Sequence, residues 1–128
     1  MLRKTEDRAS IVACSTCRYS ADARESANGQ RGGAVLAELL RQEGVPVEEM
    51  PCLFSCSRHC SIHLRAPGKI GYVLGDFQPT EEAAAAIAAF FELYRWSEFG
   101  SVPYREWPEG VKGHFIVRVP PPGFVSNV

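Results

Sequence analysis

Ser10-Ile11-Val12-Ala13-Cys14-Ser15-Thr16-Cys17 is the stretch from which the fold of this chain is read. Residues 10–13 form a short apolar run that reads as a buried strand stopping at Cys14. Residues 18–28 are polar, show no apolar period and read as a loop. Residues 29–42 follow as a helix: Val35, Leu36, Leu39 and Leu40 fall on one face, and Gly44 supplies a left-handed stop. Residues 45–50 are a second strand with Val45 and Val47 on one face. Two strands joined through a helix are expected to lie parallel in one sheet.

Outward from this unit, residues 51–60 form a cysteine-bearing loop. Residues 61–65 and 69–74 then read as two antiparallel strands around the turn Ala66-Pro67-Gly68. Residues 78–82 open a second helix, with Thr80 as its cap and Glu81 and Glu82 suited to the positive end of its dipole. Ala84, Ile87, Phe91 and Tyr94 make its apolar stripe, Phe90 lies beside it, and Gly100 closes it. From Ser101 the chain turns proline-rich, with one strand-like stretch at 115–119 before Pro120-Pro121-Pro122. The expected class is α/β: one thioredoxin-like domain over residues 1–128, of order β-α-β-β-β-α with a mixed sheet. Its core covers about residues 10–100, and residues 101–128 form an irregular tail.

Composition bounds the function. With 45% apolar and 23% charged residues, 128 residues can build one core without disulfides. A net charge of −1 with no basic run leaves no electrostatic footprint for nucleic acid. No apolar stretch reaches membrane-spanning length, and residues 1–8 lack the apolar core of a signal peptide, so a cytoplasmic protein without a membrane role is expected.

Five cysteines carry the chemistry. Cys14 and Cys17 form C-x2-C, and Cys52, Cys56 and Cys60 form C-x3-C-x3-C. In a cytosolic chain such clusters are more often metal ligands or redox groups than disulfides, and the odd count leaves one thiol over. Four thiolates are the ligand set of a [2Fe–2S] cluster or of a closed zinc site, and the spacing permits both. Loops after two parallel neighbouring strands emerge side by side, which lets the two clusters meet. Arg18 and Arg58 flank them, either as surface cations or as groups that raise a cluster's potential. His59 and His63 lie near the site and His114 lies in the tail; none is required when four cysteines suffice. Phe90, Phe91 and Tyr94 read as core, whereas Trp96 and Trp107 suit anchoring of the tail or of a partner. Gly32-Gly33 lacks the lysine and hydroxyl of a phosphate loop.

These residues resemble the thioredoxin-like [2Fe–2S] ferredoxins and the small iron–sulfur subunit on the flavin side of respiratory complex I. The likeness runs from about residue 10 to residue 94. It rests on a cysteine pair after the first strand, on Cys52-x3-Cys56 after the second, and on a hairpin with Tyr72 at its aromatic position. The chain is also similar throughout to a bacterial family described as predicted metal-binding proteins. That likeness rests on Cys14-x2-Cys17-Arg18, Cys52-Leu53-x2-Cys56-x3-Cys60, residues 72–79 and Arg118-Val119-Pro120. The ferredoxin resemblance implies Cys14, Cys17, Cys52 and Cys56 as ligands of a [2Fe–2S] cluster, with Cys60 as the alternative to Cys56. It implies one-electron transfer to a redox protein partner, or redox sensing. A homodimer stays open. Zinc in a structural or interaction module is the alternative.

A thiol–disulfide oxidoreductase built on Cys14-Ser15-Thr16-Cys17 is the one enzymatic reading. Against it stand the loop of residues 18–28, which separates Cys17 from the helix, and Cys60-Ser61, which occupies the place of that fold's cis-proline. No independent catalytic site is expected.

Overall fold

The computed structural model describes residues 2–20, 22–54 and 58–127. Among them five strands form one mixed sheet: β1 (Ser10–Cys14), β2 (Val47–Met50), β3 (Ile62–Arg65), β4 (Gly71–Leu74) and β5 (Phe115–Val119), in the order β2-β1-β3-β4-β5. The helices are α1 (Gly32–Gln42), between β1 and β2, and α2 (Glu81–Trp96), after β4. β1 and β2 run parallel, with Ile11 opposite Val47 and Cys14 opposite Met50. β3 is antiparallel to β1, with Ala13 opposite Ile62, and pairs antiparallel with β4. This is the α/β skeleton expected from the sequence.

The period of two along each strand selects the core face. Ile11 and Ala13, Ile62 and Leu64, and Tyr72 and Leu74 are buried together with Leu36, Ala37 and Leu40 of α1 and Ala84, Ile87, Phe90, Phe91 and Tyr94 of α2. The two helices pack on each other as well as on the sheet. On α1 the buried face is Gly32, Gly33, Leu36, Ala37 and Leu40, whereas Val35 and Leu39 sit at its margin. The apolar stripe therefore lies one step round from the face read off the large residues alone.

Several boundaries differ from the expected ones for local reasons. Residues 26–30 are not helical: the Ser26 amide donates to the Gln30 carbonyl at 2.7 Å, and Arg31 caps α1 in an extended conformation. α2 begins as expected, with the Thr80 hydroxyl accepting from the Ala83 amide at 3.2 Å. It ends at Trp96, and Gly100, at φ 84°, serves the following turn instead. The tail is irregular through two short 3-10 turns, but its strand-like stretch joins the sheet as β5, with Leu74 opposite Phe115. Trp107 holds the tail down. Its ring stacks on Phe115 at 4.1 Å and its Nε1 donates to the Val102 carbonyl at 2.8 Å. Trp96 is 73% exposed. Among the described residues no helix is long and apolar enough to cross a membrane.

Candidate metal centre

The end of β1, the end of β2 and the start of β3 converge on one edge of the sheet. The Ser15 amide donates to the Met50 carbonyl at 2.9 Å, and the Thr16 hydroxyl donates to the Pro51 carbonyl. On the other side the Cys14 amide donates to the Ser61 carbonyl at 3.1 Å. Parallel pairing of β1 and β2 thus brings loops 15–17 and 51–54 together, as the two-cluster pattern requires.

Cys14 and Cys17 close a tight turn, with the Cys17 amide donating to the Cys14 carbonyl at 3.3 Å. Both are buried, and so is Cys60; Cys52 is half-buried at the rim. Cys14, Cys17 and Cys60 carry no disulfide. Backbone N–H groups face the sulfurs. The Ser61 amide donates to Cys17 Sγ at 3.4 Å and the Phe54 amide to Cys52 Sγ at 3.3 Å. Cys14 Sγ lies 4.0 Å from the Thr16 hydroxyl and donates to the Pro51 carbonyl at 3.8 Å. Burial pushes the Cys14 thiol up, but the Cys17 thiol, with Leu53 and Thr16 beside it, outweighs it, and its pKa is lowered. Burial, with Cys14 beside it, pushes Cys17 up to about 11. Cys60 is pushed up to about 12 by burial and by its neighbours Cys17 and Cys14. A cation at the sulfurs would offset these penalties, because it replaces the lost solvation of each thiolate.

Cys56 lies outside the described residues. Cys60 precedes the first residue of β3 by two positions and has φ 53°, so it lies at a bend that ends the cysteine-bearing loop, as expected, just before the strand. Its Sγ donates inward to the Arg18 carbonyl at 3.7 Å and its exposure is 0%. Burial, not strand geometry, restrains it. Among the described residues no three histidine, cysteine or acidic side chains gather closely enough to hold one ion.

The flanking residues divide. Arg58 pairs with Asp76, while Arg18 is exposed and offers only its carbonyl to Cys60. His59 Nε2 is buried and without a hydrogen-bond partner. His63 lies on β3, paired across to Val12 and Val73, away from the cysteine turn. His114 stacks on Phe77 at 4.2 Å and bonds the Gly75 carbonyl at 2.8 Å.

Gly32 and Gly33, which in sequence only fail to make a phosphate loop, shape the site. A Cβ on Gly33 would overlap the Cys14 carbonyl oxygen, and would lie 2.8 Å from the Cys14 carbonyl carbon and 3.3 Å from Cys17 Cβ. On Gly32 it would overlap the Arg18 carbonyl oxygen and come within 2.7 Å of Tyr19 Cα. The first turn of α1 therefore packs directly on the C-x2-C turn, although a loop separates the two in sequence. The loop of residues 18–28 therefore does not hold the helix away from the cysteine turn, as its length in sequence suggests. Two adjacent glycines opening a helix were the available signal.

No curated protein and no solved structure matches the chain. A family model described as protein of unknown function (DUF1636) matches residues 11–121, and the chain belongs to that family.

Proposed function

We propose that this DUF1636 member is a small iron–sulfur protein, holding a [2Fe–2S] cluster on Cys14, Cys17, Cys52 and Cys56 and serving one-electron transfer or redox sensing. The observation that carries the reading is the pair of backbone N–H donors directed at Cys17 and Cys52, from Ser61 before β3 and from Phe54 in the loop after β2, where the loop bearing Cys14 and Cys17 meets the loop bearing Cys52. Such donors stabilise thiolate over thiol and, in iron–sulfur proteins, tune the potential. Bound there, the cluster would supply a reversible one-electron couple. The chain's own residues do the rest. Ser61 and Phe54 fix the direction of two sulfurs through their amides. The first turn of α1 keeps water from the Cys14 side. Phe54, 96% exposed beside Cys52, offers an apolar contact to a redox partner. The resemblance to thioredoxin-like ferredoxins supports iron over zinc.

Serine substitutions test the ligand set under anaerobic reconstitution, read by visible absorption and iron content. Cys14→Ser, Cys52→Ser and Cys56→Ser are expected to lose most of the cluster. Cys60→Ser is expected to keep it, with a small spectral change. Loss in Cys60→Ser together with retention in Cys56→Ser would assign Cys60 as the fourth ligand and refute the set proposed here. Zinc in place of iron, at one per chain in every preparation, would establish the zinc alternative.

A further inference from the structure

We infer that, in the metal-free chain, Cys14 and Cys17 form a dithiol that reduces small hydroperoxides and becomes an intramolecular disulfide, so that oxidation and metal loading exclude each other. The disulfide chemistry stands on the metal-free geometry; only the antagonism rests on the function proposed above. The Cys14–Cys17 turn is closed by its own backbone bond at 3.3 Å. Such a turn holds its end Cα atoms within about 7 Å, and disulfides bridge Cα separations of about 4.4–6.8 Å. Cys52 lies on the opposite loop, where its Sγ accepts from Phe54, and Cys60 Sγ points inward to the Arg18 carbonyl. Among the described residues the turn is therefore a pre-formed pair.

Burial selects the oxidant. Cys14 is 4% and Cys17 6% exposed, walled by the first turn of α1 on one side and by Pro51 on the other. So little open surface bars the in-line approach of a protein disulfide to either sulfur and favours an oxidant as small as hydrogen peroxide. One sulfur, as thiolate, attacks a peroxide oxygen. The O–O bond breaks, one water leaves after protonation, and a sulfenic acid remains. The second sulfur attacks that sulfenic sulfur: the S–S bond forms, the S–O bond breaks, and a second water leaves. Two electrons pass from the two thiols to the peroxide. Two equivalents of a monothiol of a few heavy atoms, of the mercaptoethanol class, return the pair to dithiol and leave as their own disulfide.

The test uses the full, reduced, metal-free chain and hydrogen peroxide, followed by alkylation and peptide mapping. The expected result is loss of two free thiols per chain, mapped to a Cys14–Cys17 disulfide, with Cys60 still alkylated. Cys17→Ser should form no such disulfide and should accumulate a sulfenic acid on Cys14 that dimedone traps; Cys60→Ser should behave like the unaltered chain. A disulfide that maps to Cys52, Cys56 or Cys60 overturns the inference, as does faster oxidation by a protein disulfide such as insulin than by peroxide. Zinc is the probe for antagonism. The zinc-loaded chain should resist peroxide, and the disulfide form should take up no zinc. Oxidation of Cys14 and Cys17 with zinc retained overturns the antagonism. Failure to bind zinc or iron in any state overturns the metal reading while leaving the peptide map to decide the dithiol.

Discussion

Replacing Gly33 by alanine sets two effects of opposite sign against each other. Inside a helix, alanine is favoured over glycine by about 1 kcal/mol. In this chain the added methyl would overlap the Cys14 carbonyl oxygen, a backbone atom at the end of the central strand β1. That strand is paired on both sides, to β2 and to β3, so neither it nor α1 can shift without breaking pairing or repacking Leu36 and Leu40. Overpacking a tight interior costs about 1–3 kcal/mol, and an overlap on backbone belongs at the upper end. The net is a destabilisation of about 2 kcal/mol. For a domain of this size that lowers Tm by roughly 8 °C. Urea and thermal unfolding of the metal-free chain, followed by circular dichroism, measure it directly. A Gly33→Ala protein as stable as the unaltered one, or more stable, would refute the contact between α1 and the cysteine turn.

Two further perturbations probe parts remote from the cysteines. Trp107→Ala removes the stack on Phe115 and the edge contact to Phe90. It should cost about 3 kcal/mol and raise hydrogen exchange in β5 above that in β1, and equal protection in both strands would contradict the tail's docking role. Partial burial of the His63 imidazole, with Arg65 nearby, lowers its pKa in the folded chain, so below its ordinary value of 6.5 the unfolded chain takes up a proton that the folded chain resists. Stability should be full above that pH and fall as pH drops through it, by at most about 1.4 kcal/mol per pH unit, and His63→Gln should flatten the slope. An unchanged slope in the variant would place the effect elsewhere.

What could be read from sequence followed from local patterning. The parallel pair β1 and β2, the hairpin β3–β4 and the buried stripe of α2 are all visible as alternation or as a 3.6-residue period, and Thr80 is where a cap was expected. The start of α1 was misplaced because residues 26–30 are held by a turn bond that depends on Ser26, not on apolar period. β5 reads from sequence only as a strand-like stretch in an irregular tail, because its partner β4 lies some 40 residues earlier and the contacts of Phe115 with Tyr72, Phe90 and Trp107 that dock it join distant segments. At the site, the convergence of two loops was legible from the parallel unit. The seating of Gly33 on Cys14, the inward turn of Cys60 and the ion pair of Arg58 with Asp76 were not, because each is a contact between segments far apart in the chain.

The central claim is that thiolates on converging loops hold iron and sulfide. It is tested most directly by purifying the chain without oxygen and measuring its visible spectrum, iron, acid-labile sulfide and zinc on one sample. The account predicts reddish-brown protein with about two irons and two sulfides per chain. Colourless protein carrying one zinc, unchanged by cluster reconstitution, would contradict it.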